Sequence, residues 1–152
     1  MVFSSIVFIS VFLPITYVFH LVIPSIKIKN ILLIAASLVF YAYGEPVYVL
    51  LMIISAFLNY IGAYLIGKTD NHKKLFLILN VIINIGILVF FKYTGFLVEQ
   101  LDFIFRLSIP VPQITLPIGI SFFTFQAMSY VIDVYRGSVE TQKNFFKVLL
   151  YI

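Results

Sequence analysis

The sequence predicts an all-α integral membrane protein, a multi-span helical bundle with about five transmembrane helices and one interfacial amphipathic helix. Three observations carry that expectation. Of 152 residues, 62% are hydrophobic and only 11% are charged, against a soluble norm of roughly 45–50% apolar and 25% charged. There is too little polar surface to cover a water-soluble chain of this size. The mean hydropathy, +1.13, says the same. Uncharged apolar runs, some of them near the roughly 20 residues a crossing needs, recur five times between short basic connections. With 17 Phe and 10 Tyr, the chain is also too apolar to remain disordered. No internal repeat or low-complexity stretch is visible.

The first run is Met1–Ile26. No Lys or Arg precedes it, it is too long for a secretory leader, and no small-residue cleavage site ends it, so it is expected to stay attached. Pro14 within it predicts a kink or a break. The second run, Asn30–Gly44, has 15 residues. Such a helix covers only about 22 Å, so it crosses with help from local thinning, snorkelling of Lys27 and Lys29, or shelter by other helices. Pro46–Gly67 and Leu75–Phe91 follow as plain spans.

Between Lys92 and Arg106, the residues Glu99, Asp102 and Arg106 recur at i, i+3, i+7, opposite Phe96, Leu97, Leu101, Ile104 and Phe105. That pattern predicts a helix lying in the headgroup plane. Pro110, Pro112 and Pro117 break the start of the last run, Leu107–Ile132, so its helix is expected from Pro117 to Arg136, with Gly137 as its stop. Thr141 is expected to cap a further helix over Phe145–Ile152, where the sequence ends inside an apolar segment. Residues 1–152 therefore read as the N-terminal part of a longer polytopic membrane domain, cut short by an interrupted reading frame or an incomplete sequence.

Basic residues set the orientation. With the N-terminus outside and all five runs crossing, Lys27, Lys29, Lys68, Lys73, Lys74, Arg136, Lys143 and Lys147 fall inside, and only Lys92 and Arg106 fall outside. A re-entrant second run would destroy that bias. The pI near 9.3 is thus a topology signal rather than a nucleic-acid patch, because the positive charge is spread over several connections.

No catalytic constellation is visible. The chain has no Cys, hence no disulfide, thiolate metal site or cysteine nucleophile. His20 and His72 have no partner at catalytic or metal-ligand spacing, and no metal or phosphate-loop motif occurs. Polar residues inside the spans are more informative, since each needs a partner in hydrocarbon. Ser55, Asn59 and Gly62, flanked by Ala56 and Ala63, form a small-residue packing stripe. Asn80 and Asn84 stack at i, i+4 and can bond to Asn59 or to another helix. In the last span Gln126, Ser129, Asp133 and Arg136 share one quadrant, with Asp133 and Arg136 spaced to pair. These seven polar residues, Asn59, Asn80, Asn84, Gln126, Ser129, Asp133 and Arg136, line a substrate path or hold helices together. The aromatic run Phe122, Phe123, Phe125, Tyr130 reads as lipid-facing or core packing.

The block Leu116-Pro117-Ile118-Gly119-Ile120-Ser121-Phe122-Phe123-Thr124-Phe125-Gln126, followed by Ser129-Tyr130-Val131-Ile132-Asp133-Val134-Tyr135-Arg136-Gly137, resembles the membrane-bound O-acyltransferases, specifically their bacterial alginate O-acetylation branch. Met1–Ser5, the elbow Phe40–Pro46, Asn59-Tyr60 and Phe90–Tyr93 agree in order, so the resemblance covers the whole chain. It implies acetyl transfer from a cytoplasmic donor such as acetyl-CoA to an extracytoplasmic, alginate-like polysaccharide. It also implies a multi-pass protein of the bacterial inner membrane, an extracytoplasmic acetyltransferase partner, and no bound cofactor. The catalytic histidine it implies would lie beyond Ile152; neither His20 nor His72 matches it, and this stretch alone should be inactive. Peptidoglycan O-acetylation, teichoic-acid D-alanylation and a non-catalytic packing or transport subunit stay open as alternatives.

Overall fold

The computed structural model describes residues 6–69, 71–105 and 116–152, and among them every regular element is helical. A π-helical turn at Phe8–Phe12 leads into α1 (Leu13–Val22), α2 (Ile26–Gly44), α3 (Tyr48–Lys68), α4 (Lys73–Phe105), α5 (Ile120–Arg136) and α6 (Phe145–Tyr151). Among the described residues, three helices are long and apolar enough to cross a membrane: Ile26–Gly44 with 19 residues, Tyr48–Lys68 with 21, and the Lys73–Gln100 stretch of α4 with 28. The first apolar helix, Phe8–Val22, is shorter, and α5 has 17 residues. Of about five expected spans, three therefore reach spanning length within one described helix.

The helices group into two compact units, one comprising the chain up to Phe57 together with Gln142–Ile152, the other Leu58–Thr141. In the first unit Pro14 does not end the helix. The π-helical turn before it, in which the Leu13 N–H donates to the Phe8 carbonyl, opens the backbone ahead of the proline. Pro14 then falls in the first turn of α1, where a missing N–H costs least. Phe8 and Phe12 pack their rings on Phe40 of α2, with centroids 4.7 and 5.4 Å away.

Helix α2 starts at Ile26 rather than Asn30, with the Lys29 N–H bonded to the Ser25 carbonyl at 3.0 Å. Lys27 and Lys29 thus extend the helix instead of bounding it, since lysine is a good helix former and its stem lies along apolar surface. Helix α6 also packs on α2. Its cap is Asn144, whose side chain accepts from the Phe146 N–H at 2.9 Å, not Thr141. An Asx cap reaches the first turn only from the residue directly before the helix.

In the second unit α4 is one unbroken helix of 33 residues. The separate interfacial helix expected from Lys92 does not form on its own: Lys92–Phe105 continues the span. Thr94, which could have interrupted it, returns its hydroxyl to the Phe90 carbonyl one turn back. Arg106, Pro110 and Pro112 lie outside the described residues.

Helix α5 begins at Ile120, three residues later than expected. Pro117–Ile120 is a turn closed by the Ile120 N–H and the Pro117 carbonyl at 3.2 Å. Gly119 sits in it at φ 77°, ψ 7°, the position of a type II turn that favours glycine. The helix ends as expected at Gly137, where the N–H groups of Gly137 and Ser138 bond back to the carbonyls of Val134 and Asp133.

Candidate functional site

Two groups of polar side chains stand inside the apolar helices. The first joins α3 to α4. Asn59 and Asn84 exchange amide hydrogen bonds: the Asn59 Nδ2 donates to Asn84 Oδ1 at 2.9 Å and the Asn84 Nδ2 to Asn59 Oδ1 at 3.0 Å. Asn84 also donates to the carbonyl and Oδ1 of Asn80, at 2.8 and 3.0 Å. Asn80 in turn donates to the Leu58 carbonyl at 3.4 Å. All three amides are buried.

The helices approach closely because Gly62 lies under Asn80; a Cβ at Gly62 would come within 3.0 Å of the Asn80 Cγ. Ala63, buried on the same face of α3, adds no bulk either. Each amide meets at least one partner within this pair of helices, as hydrocarbon demands. The cluster accordingly serves helix association, leaving little hydrogen-bonding capacity for a substrate.

The second group lies on α5. This helix packs on α4 and buries Ile120, Phe123, Thr124, Ala127, Tyr130, Val131 and Val134. At roughly 100° per residue, Ser129, Asp133 and Arg136 fall on the side away from the middle of that buried face, and Gln126 stands at its edge with Oε1 buried. Ser129, Asp133 and Arg136 share their side with Phe122 and Phe125, which are exposed. Gln126, Ser129 and Asp133 are half-buried and Arg136 is exposed. The Ser129 hydroxyl donates to the Gln126 carbonyl at 2.8 Å.

The expected pair of Asp133 with Arg136 is not among the ion pairs formed by the described residues. Arg136 is the last helical residue, where the free carbonyls of the helix end favour a cation and its long side chain extends outward. The aromatic run divides as the helix period requires, with Phe123 and Tyr130 inside.

Beyond these, Thr124 is buried to 1% exposure, and its hydroxyl has no hydrogen-bond partner among the described residues. Sequence reasoning missed it because it treated Phe122–Phe125 as one apolar run. Its place four residues after Ile120 and three before Ala127 put it on the packed face. His20 is half-buried on α1 and His72 exposed before α4. Among the described residues, no group of His, Asp or Glu could hold a metal ion.

One contact bears on orientation. The Thr141 side chain lies against Gly67 at the end of α3. The end of α3 at Gly67, next to Lys68, and the segment that follows Arg136 therefore meet at one end of their unit.

The chain is 37% identical over 153 residues to the probable alginate O-acetylase AlgI of Azotobacter vinelandii, a match covering 95% of this chain and 30% of the relative. The probable alginate O-acetylase AlgI of Pseudomonas aeruginosa is likewise 37% identical, over 161 residues, all of this chain and 30% of the relative. The peptidoglycan O-acetyltransferase of Helicobacter pylori is 35% identical over 143 residues, 90% of this chain and 27% of the relative. The chain spans about 30% of the length of these curated relatives. No protein-family model matches it, and no solved structure matches it significantly.

Proposed function

We propose that this chain, which is similar to bacterial O-acetylases along nearly all of its length, forms part of the membrane body of a membrane-bound O-acyltransferase. The reaction is transfer of an acetyl group from a cytoplasmic thioester such as acetyl-CoA to a hydroxyl of an extracytoplasmic polysaccharide of the alginate kind. The hydroxyl oxygen attacks the thioester carbonyl, a base takes its proton, and the thiolate leaves. A site screened from water protects the thioester from hydrolysis. The observation that carries this reading is the 37% identity over the whole chain to a relative named as a probable alginate O-acetylase. The peptidoglycan O-acetyltransferase match favours peptidoglycan as a second acceptor.

In this reading all five apolar runs cross the bacterial inner membrane, with the N-terminus outside. The contact of Gly67, next to Lys68, with Thr141, five residues after Arg136, supports a common side for these two helix ends, and their basic residues favour the cytoplasmic one. The asparagine cluster of α3 and α4 holds a rigid wall. Gln126, Ser129 and Asp133, with Arg136 at the end of the helix, face the path of the reactants. They line and position, and none of them is assigned as the base. The chain's partner is an extracytoplasmic acetyltransferase protein.

Membrane vesicles carrying the complete reading frame should transfer labelled acetyl groups from acetyl-CoA to alginate or to peptidoglycan fragments. Vesicles that contain the folded protein and acetylate neither would sink the proposal. Asp133→Asn should keep normal abundance and lower transfer about 10- to 100-fold, the scale of a displaced positioning contact.

A further inference from the structure

The elbow between α2 and α3 carries a carboxylate that neither the helix packing nor the proposed reaction uses. Glu45 closes α2 as its C-terminal cap. Its N–H bonds to the Tyr41 carbonyl at 2.9 Å, and its own carbonyl accepts from the Tyr48 N–H at 3.2 Å. Pro46 follows directly and keeps Glu45 out of the helical region, at φ −146° and ψ 77°. Tyr41 and Tyr48, four residues before Glu45 and three after, are half-buried. The Glu45 carboxylate and the Tyr48 phenol are close enough to Tyr41 to act on it electrostatically. Glu45 Oε2 is buried and has no hydrogen-bond partner among the described residues.

A second observation has the same sign. The carboxylate stands at the negative end of the α2 dipole, and the last turn of α2 contains no basic residue. Helix end and side chain add to one concentrated negative potential in the neighbourhood of two tyrosines. A buried carboxylate oxygen needs a donor. Tyrosines near such a group favour an organic cation over water. The elbow ends a membrane-spanning helix, in the layer where tyrosines meet headgroups.

We propose that the Tyr41–Glu45–Tyr48 elbow binds the primary ammonium of a zwitterionic phospholipid headgroup. The ammonium donates to the buried carboxylate oxygen and rests against the tyrosine rings. A quaternary ammonium keeps the charge but has no N–H to donate, and an anionic headgroup is repelled. The order of preference is therefore phosphatidylethanolamine, then phosphatidylcholine, then phosphatidylglycerol. This does not depend on the acyl-transfer reading.

The test is native mass spectrometry of the purified full chain with equimolar amounts of these three lipids, matched in acyl chains. The unaltered protein should retain the ethanolamine lipid in that order. Glu45→Gln should reduce its preference over the choline lipid about tenfold, as loss of a charge-assisted bond together with the cation site predicts. Glu99→Gln, an acid on α4, should leave it unchanged. Glu45→Asp keeps the charge and the turn, so it controls for folding and should retain part of the preference. Equal retention of all three lipids by the unaltered protein overturns the proposal, as does undiminished ethanolamine preference in a folded Glu45→Gln.

Discussion

The α3–α4 pair and helix α5 both place amide and hydroxyl groups among apolar residues, yet they treat them in opposite ways. On α3 and α4 the polar groups point at each other, so Asn59, Asn80 and Asn84 find their partners inside the pair. On α5 the polar stripe turns away from the helix that α5 packs on, and the packed side carries mostly aliphatic and aromatic residues. The difference separates two uses of polarity in a membrane. A closed network consumes its hydrogen-bonding capacity in holding helices at one register. On the α5 stripe the hydrogen bond described, from the Ser129 hydroxyl to the Gln126 carbonyl, stays within the helix and joins it to no other.

The comparison is broken most severely by removing one member of the closed network. Asn84→Leu should cost about 1–3 kcal/mol, because the amides of Asn59 and Asn80 lose their buried partner. Thermal unfolding in detergent measures this. The double variant Asn59→Leu, Asn84→Leu should be less destabilised than the sum of the single changes; strict additivity would show that the two amides do not interact.

Gly62→Ala comes next, with a loss of about 1–2 kcal/mol, since the new methyl must displace Asn80. Thr124→Val should be neutral or stabilising by up to about 1 kcal/mol, because it replaces a buried hydroxyl lacking a described partner with a methyl of the same shape. On the α5 stripe, Ser129→Ala should change the melting temperature least of all. A loss there as large as at Asn84 would erase the distinction between the two regions.

Sidedness can be checked with the same protein. The sequence has no Cys, so single cysteines at Lys68 and at Ser138 report on position without background. Both should be blocked by a membrane-impermeant thiol reagent in inverted vesicles and spared in intact cells. Opposite labelling of the two sites would contradict the contact between Gly67 and Thr141.

Much of this was legible in the sequence because it rests on local chemistry. The i, i+4 spacing of Asn80 and Asn84 puts both amides on one face, and Gly137 ends α5 as a glycine after a helix does. The O-acetylase resemblance was carried by the α5 block itself. What escaped depends on neighbours. Charged residues at Lys27 and Lys92 looked like boundaries, but a helix stops only when its hydrogen bonds are replaced, and nothing replaces them there. The effect of Pro14 turned on the π-helical turn ahead of it, which no residue type announces. The quadrant holding Gln126 and Asp133 followed from the helix period, whereas the side it faces depended on where α4 lies.

The unbroken α4 sets a mechanical condition on its surroundings. Its 33 residues make a rod about 50 Å long, while the hydrocarbon layer is about 30 Å thick. The rod must lean or stand out of the bilayer, and the choice shifts with bilayer thickness. A thinner bilayer increases the lean. Because Asn80 and Asn84 bolt this rod to α3, the tilt of one helix becomes the tilt of both, and lipid composition acquires a lever on the geometry of the pair.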